Sequence, residues 1–204
     1  MSISWEKRLI MKRLLVTRLA LLVTAGLALA GDLRLRAADG DGQATTITKE
    51  VKLESLKWPQ FKERLAAMKP AKYTLVDAWA TTCAPCKENF PHLIQMHQKY
   101  GSKGLAVISL CLDDATNKKA VSEAEKFLKE KSAAFTNVLL DENYGEGFDK
   151  LDVNTIPAVF IFGQDGKELK RFTMDDPSHQ FTYDQVEKYL IDLLGSSKSA
   201  STGS

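Results

Sequence analysis

Two cysteines separated by an alanine and a proline, Cys83-Ala84-Pro85-Cys86, are the residues of this chain best spaced for covalent chemistry. They fall where an apolar, β-rich run from Tyr73 to Ala80 gives way to helical periodicity from Ala84 to about Tyr100. A helix N-terminus carries free N–H groups and a partial positive charge, which favour thiolate over thiol. Such a site lowers a cysteine pKa from about 8.5. Cys86 lies one helical turn after Cys83, within reach of a small-ring disulfide, and Pro85 in the first turn fixes φ without losing a needed hydrogen bond. The spacing predicts a redox pair in which Cys83 attacks and Cys86 resolves. A structural disulfide or half a zinc site are the alternatives. Zinc usually takes four ligands, whereas this chain has three cysteines and no second Cys-x-x-Cys or Cys/His pair at ligand spacing. His92 and His97 stand at a helical spacing that points them in different directions. Neither a metal nor another cofactor is expected.

The elements that must position this pair are read from periodicity. Val51-Lys52-Leu53 makes a short strand, and Trp58-Pro59 opens a helix that Lys69-Pro70 ends. Tyr73 to Ala80 reads as a buried central strand, and Ala84 to Tyr100 as a helix stopped by Gly101 and Gly104. Leu105 to Leu112 is a further strand, Lys118 to Lys131 a helix, and Val138-Leu139-Leu140 and Ala158 to Phe162 are strands. The turn dipeptide Asp165-Gly166 predicts a hairpin into Glu168–Met174. A last helix carries Val186, Tyr189, Leu190, Leu193 and Leu194, and Gly195 with a Ser-rich tail ends the fold. The alternation predicts an α/β fold, a mixed sheet covered by helices on both faces with an antiparallel edge.

Of the 204 residues 44% are hydrophobic and 26% charged, proportions ordinary for one globular domain with extra ends. The formal charge of +2 has its basic excess at the front, in Lys7, Arg8, Lys12, Arg13 and Arg18, so the rest carries no electrostatic footprint for nucleic acid. That basic stretch precedes an apolar run from Leu19 to Ala30 ending in Ala28-Leu29-Ala30, the pattern of a signal peptide with small residues before the cut. The run is shorter than the roughly 20 residues that span a bilayer. Cleavage near Ala30 is expected, with Ala37 or Ala38 as other sites and an uncleaved anchor as the alternative. The expected layout is a signal peptide over 1–30, a linker over 31–50, the domain over 51–195 and a disordered tail over 196–204. Export with a lone Cys-x-x-Cys points to redox chemistry in a periplasmic or other extracytoplasmic space, without stable membrane insertion after cleavage.

The segment Leu75-Val76-Asp77-Ala78-Trp79-Ala80-Thr81-Thr82-Cys83-Ala84-Pro85-Cys86 resembles the active-site stretch of thioredoxins. From about Val51 to Leu194 the chain is similar to the TlpA/ResA-like branch of exported thiol–disulfide oxidoreductases. Its Cys-x-x-Cys-Lys followed by Phe90-Pro91, its αβ unit near residues 118–140 and its Asn154-Thr155-Ile156-Pro157 all match that branch. The resemblance implies a thioredoxin fold with the αβ unit inserted between the active-site helix and the cis-proline strand. It implies that Pro157 holds a cis bond beside the cysteines and exposes the Ile156 backbone to an extended substrate, with Ala84 and Pro85 in the contact surface. It implies that Asp77 is the buried acid that relays a proton for Cys86; a solvent-facing strand-end acid is the alternative. Trp79 is expected to pack beside the pair and meet substrate, with core filling as the other reading. The implied substrates are apocytochrome c or other exported cysteine proteins, and a membrane electron-transfer partner would reset the pair.

Two positions depart from the family pattern. Asn89 stands where an acid often follows the second cysteine, and Thr82 replaces the tryptophan that commonly precedes the first. Cys111, inside an expected strand, reads as an inert buried thiol. Disulfide formation in place of reduction stays open as the direction. A peroxiredoxin would carry Thr or Ser where Ala80 stands, and a copper-binding module of this fold would space its cysteines one residue wider.

Overall fold

The computed structural model describes residues 50–143 and 145–199. The expected signal peptide, nearly all of the linker and the end of the tail lie outside the described residues. The elements in chain order are β1 (Leu53–Leu56), α1 (Trp58–Ala66), β2 (Tyr73–Trp79), α2 (Ala84–Tyr100) and β3 (Leu105–Cys111). They continue as α3 (Lys118–Glu130), β4 (Thr136–Leu140), α4 (Glu146–Leu151), β5 (Ala158–Gly163), β6 (Glu168–Phe172) and α5 (Tyr183–Ser199). The strands form one sheet in the order β1-β4-β3-β2-β5-β6. β1, β4, β3 and β2 run parallel, while β5 is antiparallel to both β2 and β6.

β2 and β3 occupy the middle because their apolar runs bury both faces. Alternation along β2 sends Leu75 and Trp79 into a core with Phe90, Leu93 and Met96 of α2, Leu128 of α3 and Val186 and Leu190 of α5. Val76 and Ala78 point the other way, toward Phe61 of α1 and Leu151 next to Ile108, Leu110 and Phe160. Helices therefore cover both faces, and α3 with β4 forms the expected αβ unit between α2 and β5. The Asp165-Gly166 turn joins β5 to β6, with Gly166 at φ 80°, a conformation that favours glycine.

Several boundaries differ from the sequence expectation. β1 starts at Leu53 instead of Val51, because its register is set by pairing with β4 at the sheet edge, Leu53 opposite Asn137. α1 ends at Ala66, ahead of Lys69-Pro70. α4 was not foreseen: its six residues are too short to show a helical period. α5 continues through Gly195 to Ser199, so the tail expected to be disordered from residue 196 begins as helix. A glycine in a helix lowers its stability without ending it. Among the described residues no helix is long and apolar enough to cross a membrane.

Candidate active site

β2 stops at Trp79, and the chain turns so that the Cys83 N–H donates to the Ala80 carbonyl at 3.1 Å. Cys83 is the N-cap of α2, with extended φ and ψ of −85° and 97°, and its Sγ accepts the Cys86 N–H at 3.2 Å. A sulfur here meets the free donors and positive end of the helix, as the spacing predicted. Cys83 and Cys86 are joined in a disulfide with Cα atoms 5.3 Å apart. The two differ in access: Cys83 is half-buried, Cys86 is buried, and Thr82, Ala84 and Pro85 are exposed. Asn89, at the position where an acid is common, donates from Nδ2 to the Pro85 carbonyl at 2.9 Å.

The Ile156–Pro157 peptide bond is cis, and the Ile156 carbonyl oxygen lies 3.7 Å from Cys83 Sγ. The loop leading into it is held by Asp175, whose Oδ1 accepts the N–H groups of Asn154 and Thr155 at 2.9 and 3.0 Å. The sheet thus brings residues 83–86 and 156–157 together across some 70 residues of chain.

Asp77 is 1% exposed and accepts a hydrogen bond on Oδ2 from the Tyr183 hydroxyl at 2.6 Å. Burial pushes its pKa up to about 7, against the downward pull of that hydrogen bond. The solvent-facing alternative for Asp77 is therefore excluded. Because the folded pKa lies above the ordinary carboxylate value, the native state binds a proton that the unfolded chain has released between about pH 4 and 7. The stability held by the neutral acid is complete below about pH 4 and is lost as pH rises through 7. Asp77→Asn removes this dependence. Urea melts are expected to show the wild type losing up to ~1.4 kcal/mol per pH unit relative to the variant across this window. Parallel pH curves for the two proteins would show that Asp77 does not titrate there.

Trp79 does not stand where a substrate could meet it. It is 0% exposed and packs with ring centroids 5.5 Å from Phe90 and 5.1 Å from Phe127. The core-filling reading is the one its burial supports, because alternation along β2 turns it inward under α2.

Cys111 is likewise 0% exposed, as a lone strand thiol was expected to be. Its Sγ–H donates to Asp113 Oδ2 at 3.1 Å, and burial with the nearby Asp113 charge drives its pKa well up. The sequence reading missed Asp113 itself. This buried carboxylate also accepts the Thr81 N–H and hydroxyl, each at 2.9 Å, and so fixes the turn two residues before Cys83. Its signal was an Asp just past an apolar strand, which by local pattern is indistinguishable from a solvated turn residue. Among the described residues no group of three or more His, Cys, Asp or Glu side chains could hold a metal ion.

The sheet order, the disulfide across a helix N-terminus and the facing cis-proline define a thioredoxin-like protein. The chain belongs to the redoxin family, whose model matches residues 59–190. It is 28% identical over 180 residues to the thiol:disulfide interchange protein HelX of Rhodobacter capsulatus, covering 86% of this chain and 93% of that one. It is 27% identical over 119 residues to the thiol-disulfide oxidoreductase ResA of Bacillus thuringiensis, covering 58% of this chain and 62% of the relative. The match therefore spans about three fifths of that ResA. Among solved structures, a putative thiol:disulfide interchange protein DsbE from Chlorobium tepidum aligns with TM-score 0.51 and 28% identity, over 63% of this chain and 84% of that one.

Proposed function

We propose that the protein is an exported thiol–disulfide oxidoreductase that reduces disulfides of specific extracytoplasmic proteins, apocytochrome c among them. One observation carries the reading: a half-buried Cys83 sulfur at the N-terminus of α2, bonded to a buried Cys86. Names of relatives such as HelX and ResA support the chemistry. The basic and apolar pattern of residues 1–30 supports export.

In the reaction the Cys83 thiolate attacks one sulfur of a substrate disulfide. The Cys83–substrate bond forms as the substrate S–S bond breaks, and the displaced sulfur takes up a proton. Cys86 passes its proton to Asp77 and attacks Cys83 Sγ, which forms the Cys83–Cys86 disulfide and frees the second substrate thiol. Two electrons move from the pair to the substrate, and a membrane electron-transfer partner returns them. The Ile156 backbone beside Pro157 pairs with an extended substrate segment, while exposed Ala84 and Pro85 form the surface it meets.

The test is the reduction potential of the pair, measured by equilibration in dithiothreitol buffers. A reductant of this kind is expected at about −270 mV or below. A value near about −120 mV would mean that the protein installs disulfides and would reverse the proposed direction.

A further inference from the structure

The hydrogen bond to Asp77 comes from far along the chain. Tyr183 opens α5, is 4% exposed, and reaches across 106 residues to donate its hydroxyl to Asp77 Oδ2 at 2.6 Å. Its ring is fixed on two sides: His92 of α2 stacks on it at 5.7 Å and 23°, and Phe181 packs at 5.6 Å. Tyr183 and Cys86 share one buried core. We infer that Tyr183 is a positioning residue of the exchange reaction, its hydroxyl holding the Asp77 carboxylate ready to accept the Cys86 proton. The inference rests on the proton-relay role proposed for Asp77.

A fully buried carboxylate with no donor stays largely protonated near neutrality, so only a small fraction of it can accept a proton. A buried hydroxyl donates more strongly to the anion than to the acid, so it favours the charged form that a base must have. The geometry gives Tyr183 that part, because its own hydroxyl, buried against an acid, resists ionising and stays a donor. The neighbouring strands put Ser109 and Val159 opposite Asp77, and neither titrates. From α2, His92 stacks on the Tyr183 ring, Cys86 lies in the same buried core and Cys83 packs against it, both cysteines titratable only once the disulfide is reduced. From α5 it is Glu187, one turn on, which is held by the Tyr100 hydroxyl at 2.7 Å and Lys99 Nζ at 3.1 Å and feels the His92 charge.

The two exchange steps separate when the reduced full chain meets one equivalent of 5,5′-dithiobis(2-nitrobenzoate). The first release of thionitrobenzoate reports attack by Cys83, and the second reports resolution by Cys86. Tyr183→Phe keeps the ring and removes the hydroxyl. It is expected to leave the first phase unchanged and to raise the pH midpoint of the second by about one unit, slowing it about five-fold at pH 7. A second phase with the wild-type midpoint would overturn the inference, and lowered stability alone would not rescue it. Asp77→Asn serves as the reference. If it too leaves the second phase unaltered, the relay role of Asp77 fails and the inference falls with it. Should Tyr183→Phe not fold, 3-fluorotyrosine in the otherwise unaltered chain probes the same hydrogen bond. The Tyr183 fluorine resonance is expected to titrate with the midpoint of the second phase, and a resonance indifferent to it would overturn the inference.

Discussion

Cys83→Ser is expected to abolish disulfide reduction, by at least about a thousand-fold, while the chain stays folded. Cys86→Ala is expected to accumulate a mixed disulfide through Cys83 that persists until a reductant is added. The difference follows from position on α2. Cys83 caps the helix with its sulfur half-open to solvent, and Cys86 lies buried in the first turn. Only the outer sulfur can reach a protein disulfide, and only it sits directly at the helix N-terminus, where thiolate is favoured. Without Cys86 nothing inside the chain displaces the bound substrate. Cys111 cannot take over, being fully buried with its thiol pKa driven up by burial and by Asp113. The adduct is read on a non-reducing gel, with the labelled cysteine identified by mass spectrometry. An adduct on Cys86 in Cys83→Ser, or reduction sustained through Cys111, would reverse the assignment.

Trp79→Ala is expected to destabilise the fold by about 3–5 kcal/mol, a large share of the roughly 5–15 kcal/mol that holds a domain together. Among the described residues the indole is the largest fully buried side chain, and it packs on Phe90 and Phe127, which themselves meet at 5.0 Å. Removing it leaves a cavity between β2, α2 and α3 that these rings close only in part. Trp79→Phe restores much of the volume and should recover much of the loss. The measurement is the denaturant midpoint of each variant, together with the thiol reactivity of the folded fraction. The variant that folds is expected to keep a reactive Cys83. A Trp79→Ala protein as stable as the wild type but slow toward protein substrates would return Trp79 to the substrate surface.

The route from these residues back to the sequence is uneven. The cysteine pair was legible because its chemistry depends on a local junction: an apolar strand, a turn, a helix with proline in its first turn. Cap preferences and the 2- and 3.6-residue periods act within a few residues, so they can be seen in the chain before it folds. The cis bond at Pro157 and the buried acid at Asp77 were reached only through family resemblance. Locally, Thr155-Ile156-Pro157 reads as a turn and Asp77 as an acid in a strand. Trp79 shows the opposite limit. A strand buried on both faces has no polar side to mark its direction, so nothing in Tyr73 to Ala80 told which residues would face α2.

What this sequence determined alone is therefore the class of fold and the cysteine pair at its strand–helix junction. What only the tertiary structure decided is the support around them. Tyr183 meets Asp77 across 106 residues, Asp113 meets Thr81 across 32, and Asp175 holds Asn154 across 21. Each is a polar side chain whose partner is chosen by how strands, helices and loops come together, and no period along the chain encodes that choice. A buried polar group must find a partner or lose the free energy of its hydration, so folding selects the Tyr183–Asp77 and Asp113–Thr81 pairs only once the core has closed around them.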